Sequence, residues 1–142
     1  SSRTRGTSRR LPNLKYEDLL ELAERAGVGD LYSHAMSKLE AVLQKTTTRS
    51  SVSFKGRFEG RRNAVINLIP GESSSETGLR YQVYRHRFAR LANITVEQVE
   101  ALMPAKREYW TYDSTDSDYE GYQGTFASPE EIDRLVQALA VA

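Results

Sequence analysis

Apolar residues recur along this chain with two periods, and the places where one period gives way to the other mark out its elements. From about Leu14 to Arg25, Tyr16, Leu19, Leu22 and Ala23 share one helical face, continued by Ala26, while Glu17, Asp18, Glu21 and Glu24 occupy the other. Pro12 marks the boundary before this helix, Asn13 stands where a cap belongs, and Gly27 stops it. Asp30 is the expected cap of a second helix reaching about Gln44, with Leu31, Ala35, Leu39, Val42 and Leu43 as its stripe. The β-branched, polar run Lys45-Thr46-Thr47-Thr48 reads as a lead into the first strand. Between Ser51 and Arg90 the period shortens to two. Strands are expected at about Ser51–Phe58, Asn63–Ile69 and Gly78–Arg85, joined as an antiparallel meander, with Gly60-Arg61-Arg62 as the first turn and Pro70-Gly71 ending the second strand.

From Arg85 to Ala92 the spacing of Tyr84, Phe88, Leu91 and Ala92 is helical again. Thr95 and Gln98 form a capping-box pattern ahead of Val96, Val99, Leu102 and Met103, so a short helix ends before Pro104. Glu108–Tyr112 and Glu120–Phe126 supply further strand candidates around a polar turn. Ser128-Pro129-Glu130-Glu131 opens a last helix whose core face is Ile132, Leu135, Val136 and Leu139. The expected fold class is α+β: an N-terminal helical hairpin and a mostly antiparallel four- or five-stranded sheet with helices packed on one face. Residues 1–12 are expected to be a flexible basic arm or linker and residues 13–142 a single domain.

Composition sharpens the picture mainly through charge. The net charge of +1 conceals nine Lys/Arg against Glu59, Glu72 and Glu76 between positions 49 and 90, and five acids with no base between 108 and 120. Two arrangements follow. Either the basic strands meet an external anion, or the acidic stretch lies beside them and neutralises them. The arm SSRTRGTSRR has nothing to bury, and fully extended it could reach about 33 Å. Cysteine is absent, which removes disulfides, Cys-based zinc sites and thiol chemistry and fits a cytoplasmic setting. There is no run of 18 apolar residues, so no membrane span is expected.

Catalytic and metal-binding patterns are weak. The stretch DSTDSDYEG starts like a calcium loop at Asp116, Asp118 and Glu120, but Ala127 stands where the bidentate glutamate is required, so no metal site is assigned. Histidine is limited to His34 and His86. His86, within Tyr84-Arg85-His86-Arg87, offers a pocket candidate together with Tyr84 and Tyr109. No phosphate-binding Gly-rich loop or hydrolase signature occurs, so neither a cofactor nor a catalytic residue is assigned. The better candidate is a basic sheet face of Lys55, Arg57, Arg61, Arg62, Arg80, Arg85 and Arg87, in which guanidinium groups bind phosphates and interleaved aromatics stack on bases. The expected partner is therefore DNA or RNA, with other domains of the same larger protein, or an oligomeric assembly without nucleic acid, as the alternative.

Two resemblances bear on these expectations. Ala26-Gly27-Val28, Leu31-Tyr32 and Ser37-Lys38 resemble the helix-turn-helix of tetracycline-repressor-type regulators, although the turn is about two residues short and the first helix of that unit is missing. From about Ser50 to Leu139 the layout is similar to small accessory domains at the C-terminal ends of prokaryotic restriction-type nucleases and defence proteins. That likeness rests on Phe58, Arg62-Asn63, Tyr109-Trp110, Asp118-Tyr119-Glu120 and Ser128 through Asp133. It implies an accessory role in a larger bacterial protein.

Overall fold

The computed structural model describes residues 12–71, 77–109 and 120–140. Two helices come first, α1 (Tyr16–Arg25) and α2 (Gly29–Glu40), then strands β1 (Gln44–Thr47), β2 (Val52–Phe58), β3 (Arg61–Ile69) and β4 (Leu79–Tyr84). They are followed by α3 (Arg85–Ala92), α4 (Val96–Leu102), β5 (Arg107–Tyr109), β6 (Gly121–Phe126) and α5 (Pro129–Ala140). The strands make one six-stranded sheet in the order β1-β2-β3-β4-β6-β5, with every neighbouring pair antiparallel. The fold class is α+β, as the two periods imply. Among the described residues no helix is long and apolar enough to cross a membrane.

Local chemistry moves several boundaries. The Asn13 side-chain amide does not cap α1. It donates to the Thr47 carbonyl at 3.1 Å, beside a Leu14 N–H to Thr48 carbonyl bond, and so ties the chain entry to β1. The Asp18 carboxylate takes over at the helix start by accepting from the Lys15 N–H at 3.1 Å. The second helix ends at Glu40, four residues earlier than its apolar stripe implies, because the threonines pair: Thr46 with Ser53 and Thr47 with Val52. The expected lead-in is thus an edge strand. At the β2–β3 hairpin the turn residues are Glu59 and Gly60, both at positive φ (48° and 81°), while Arg61 and Arg62 belong to the strand. Two positive φ values match the twist of a two-residue hairpin, and Gly60 is suited to that conformation. Two helix starts form as their sequences dictate. The Thr95 hydroxyl accepts from the Gln98 N–H at 3.1 Å while the Gln98 side chain accepts from the Thr95 N–H at 2.8 Å, and Glu131 accepts from the Ala127 N–H at 2.6 Å.

One sheet face carries the core. Val52, Phe54, Ile66, Leu68, Leu79, Tyr81, Val83 and Phe126 are fully buried against Leu19 of α1, Leu39 of α2, Phe88 of α3, Val99 of α4 and Leu135 of α5. Tyr81 and Phe126 stack at 4.7 Å between centroids, and the Tyr81 hydroxyl donates to the Pro104 carbonyl at 2.6 Å. The stretch from Ala26 to Lys38 contributes to this layer. Its helix, α2, buries Tyr32, Ala35 and Leu39. The arm to Leu11, the loop 72–76 and the segment 110–119 with Asp113, Asp116 and Asp118 lie outside the described residues.

Candidate nucleic-acid interface

The functional face follows from strand register and from one irregularity. On β2, alternation from the buried Phe54 sends Ser53, Lys55 and Arg57 to the side away from the helices. On β3, uninterrupted alternation from Ile66 and Leu68 would carry Arg62 inward. A β-bulge intervenes: Phe54 pairs with Ile66 but Lys55 pairs with Ala64, so Val65 is an extra residue, itself fully buried. The one-residue slip exchanges the faces of positions 61–64. Arg62 thereby comes to lie directly across from Arg57 on the open face, while Arg61 pairs with Phe58 at the rim.

Lys55, Arg57, Arg61 and Arg62 form no side-chain hydrogen bond or ion pair with any described residue. Arg57, Arg61 and Arg62 are exposed. A hollow of about 500 Å³ lies against the outer edge of β2, bordered by Lys55, Arg57 and Arg62, by the α2–β1 connection and by Glu40 at the end of α2, whose carboxylate is paired with Lys45. Towards the sheet centre the register aligns Thr46, Ser53, Asn67, Gln82, Gln123 and Arg107 in one row across all six strands, with the Asn67 amide donating to Gln82 at 3.3 Å. No carboxylate is found among the described side chains of this face. Glu59 sits in the hairpin turn, and the other exposed acids among the described residues, Glu17, Asp18, Glu21, Glu24, Asp30, Glu40, Glu97, Glu100, Glu130 and Asp133, all belong to helices.

The remaining candidate residues are placed elsewhere. Arg80 lies on the open face at the far end of the sheet, where its guanidinium donates to the Gly71 carbonyl at 3.0 Å. Arg87 is only 7% exposed. It donates to the Ala64 carbonyl beside the bulge at 2.9 Å and covers the Tyr84 ring at 4.9 Å. Arg85 donates to Glu120 at 2.9 Å, which His86 also meets at 3.0 Å, and reaches the Tyr122 hydroxyl at 3.4 Å. The Tyr122 hydroxyl in turn donates to Glu100 at 3.2 Å. Arg85 and His86 thus join Glu120 in a network at the end of β4, and Arg85 and Arg87 are both engaged by contacts within the fold. Of the expected pocket residues, Tyr84 and Tyr109 flank Gly121 on the two neighbouring strands, the Tyr84 ring lies under Arg87, and His86 is held on Glu120.

Desolvation opposes the charge on Arg85, but the hydrogen bonds to Glu120 and Tyr122 outweigh it and raise its pKa. Hydrogen bonds from Arg85 and then His86 hold Glu120 below the usual carboxylate range. A lowered folded-state pKa means that the unfolded chain takes up the proton first, so the network stabilises the fold above the ordinary glutamate value of about 4.3 and loses its effect as pH falls below it. Urea midpoints of the native chain are expected to fall more steeply between about pH 5 and pH 3 than those of Glu120→Gln, which carries no proton-linked contribution at this site. Parallel curves for the two proteins would show that Glu120 has no such role.

The aromatic residues correct the stacking expectation. Phe54, Tyr81, Tyr122 and Phe126 are buried on the helix side, and Phe58 lies beneath Arg90 at 5.2 Å. Alternation gives the open face cations and amides and sends these rings into the core; Tyr84, half-buried at the end of β4 with Arg87 over its ring, is the exception. The larger groove, about 1090 Å³, lies between the α1–α2 turn and the ends of β3 and β4, with His34 on its wall held to Asp133 at 2.7 Å. No group of three or more metal-ligating side chains occurs among the described residues. The amide row and Arg107 were not singled out by sequence. Asn67 and Gln82 follow from simple alternation, but Gln123 and Arg107 join them only because β6 inserts between β4 and β5. Comparison with known protein families, with curated proteins and with solved structures finds no match to this chain.

Proposed function

We propose that the chain is a non-enzymatic, cytoplasmic accessory module of a larger bacterial protein and engages nucleic acid through the open sheet face. The observation that carries this reading is the segregation of charge: Lys55, Arg57, Arg61 and Arg62 stand without a partner among the described residues, on a sheet whose open face has no described carboxylate. Guanidinium groups in that state are free to bind phosphate oxygens in bidentate fashion. Each phosphate engaged on a duplex releases condensed counterions. Four contacts therefore predict a slope of log K against log[salt] of roughly −3 to −4. Binding to mixed DNA and RNA is expected at about 50 mM salt and should fade as salt rises. A chain that shows no salt-sensitive binding under those conditions does not have this function.

The same segregation supports a second reading. The acidic outer face of α1, with Glu17, Asp18, Glu21 and Glu24 exposed, could meet the basic face of another copy. Sedimentation would then show a dimer that dissociates with salt and does not compete for nucleic acid.

A further inference from the structure

The β2–β3 hairpin outruns its neighbours. β1 pairs with β2 only as far as Lys55, and β4 pairs with β3 only from Ile66 onward. Between those limits the hairpin is a two-stranded ribbon, with Arg57 and Arg62 side by side on its open face and Glu59-Gly60 at its tip. Its other face is backed by α3. A Cβ added to Gly56 would lie 2.7 Å from Leu91 Cδ2, and Arg90 covers Phe58. A ribbon supported from behind by a helix presents its cations from a firm platform.

We propose that this ribbon seats its open face in the major groove of B-form duplex DNA, with Arg57 and Arg62 reaching base edges or flanking phosphates and Lys55 and Arg61 contacting the backbone at the groove margins. The inference rests on the nucleic-acid reading above and narrows it to one form of nucleic acid. Three features favour B-form DNA. The B-DNA major groove, about 12 Å wide, admits a two-stranded ribbon, and arginine is the commonest reader of guanine there. The A-form major groove of duplex RNA is too deep and narrow for side chains to read. Single-strand binders without sequence preference rely on exposed aromatic rings for stacking, and the ribbon's strands offer none on the open face: Phe54 is buried and Phe58 lies under Arg90 on the helix side.

The test uses the full chain and mixed-sequence probes of about two helical turns at fixed salt. Affinity for duplex DNA is expected to exceed that for its separated strands and for the matching RNA duplex by about tenfold or more. Arg57→Ala and Arg62→Ala should each weaken duplex binding by roughly five- to hundredfold, the range of a lost bidentate base contact. Both side chains are exposed and have no partner among the described residues, so urea midpoints should not change. A duplex whose major groove is filled by glucosylated 5-hydroxymethylcytosine should bind at least tenfold more weakly, whereas netropsin in the minor groove should leave binding intact. If the chain binds but prefers single strands or RNA duplex, ignores glucosylation, or ignores both arginine substitutions, the groove placement is wrong and the broader reading stands. If it binds none of the probes, both fail.

Discussion

Gly121→Ala is expected to lower stability by more than about 3 kcal/mol, at or beyond the upper end of ordinary overpacking. A Cβ at this position would fall inside the van der Waals envelope of the Val83 carbonyl oxygen and 2.9 Å from its carbon. Both are backbone atoms of β4, so no side-chain rotation relieves the clash. The strands would have to separate where Gly121 pairs with Tyr84 and Tyr109, at the junction that inserts β6 between β4 and β5. Against a typical domain stability of about 5–15 kcal/mol, that is a large fraction. The urea midpoint should drop by at least about 1 M. Gly60→Ala is the control. It has nothing within 4 Å and a φ of +81°, so it should cost only the roughly 1–2 kcal/mol of a left-handed alanine. Equal losses in the two variants would contradict the close strand approach.

Arg87→Met is expected to lose about 2–4 kcal/mol of stability and to leave nucleic-acid affinity per folded molecule unchanged. The substitution keeps an unbranched side chain of similar reach. It removes a charged donor from the Ala64 carbonyl, a contact of about 1.5–3 kcal/mol, and a cation over the Tyr84 ring, about 0.5–2 kcal/mol. Because the bulge lies next to Ala64, loosening this contact acts where the faces of β3 exchange. Denaturation curves measure the first effect, and titration of DNA at a temperature where the variant remains folded measures the second. Loss of affinity without loss of stability would return Arg87 to the binding face, the role its place in the basic run gives it.

Arg87 and Arg62 together show where sequence reading stops. Both are arginines in a segment of alternating character, and local pattern treats them alike. Arg62 faces outward because a single extra residue, Val65, shifts the register. Arg87 turns inward because α3 brings it to a carbonyl at the bulge 23 residues earlier. Neither event leaves a mark in the neighbouring sequence. Asn13 repeats the lesson on a smaller scale. A cap is expected from its position before an apolar stripe, but the backbone of β1 offers it a better acceptor.

By itself, the sequence determined whatever depends on neighbours a few residues apart. That includes the helix faces, the Thr95–Gln98 box, the proline-led start of α5, the β2–β3 hairpin, and the α+β class that follows from two periods in one chain. Those features are set by intrinsic propensity and by short hydrogen bonds, which act within one turn of helix or one hairpin. Which basic residues are exposed together, and which are already occupied, follows from contacts made across the fold. That choice rests on strand register, on the insertion of β6 and on contacts between distant residues, where packing of the buried face outweighs local preference.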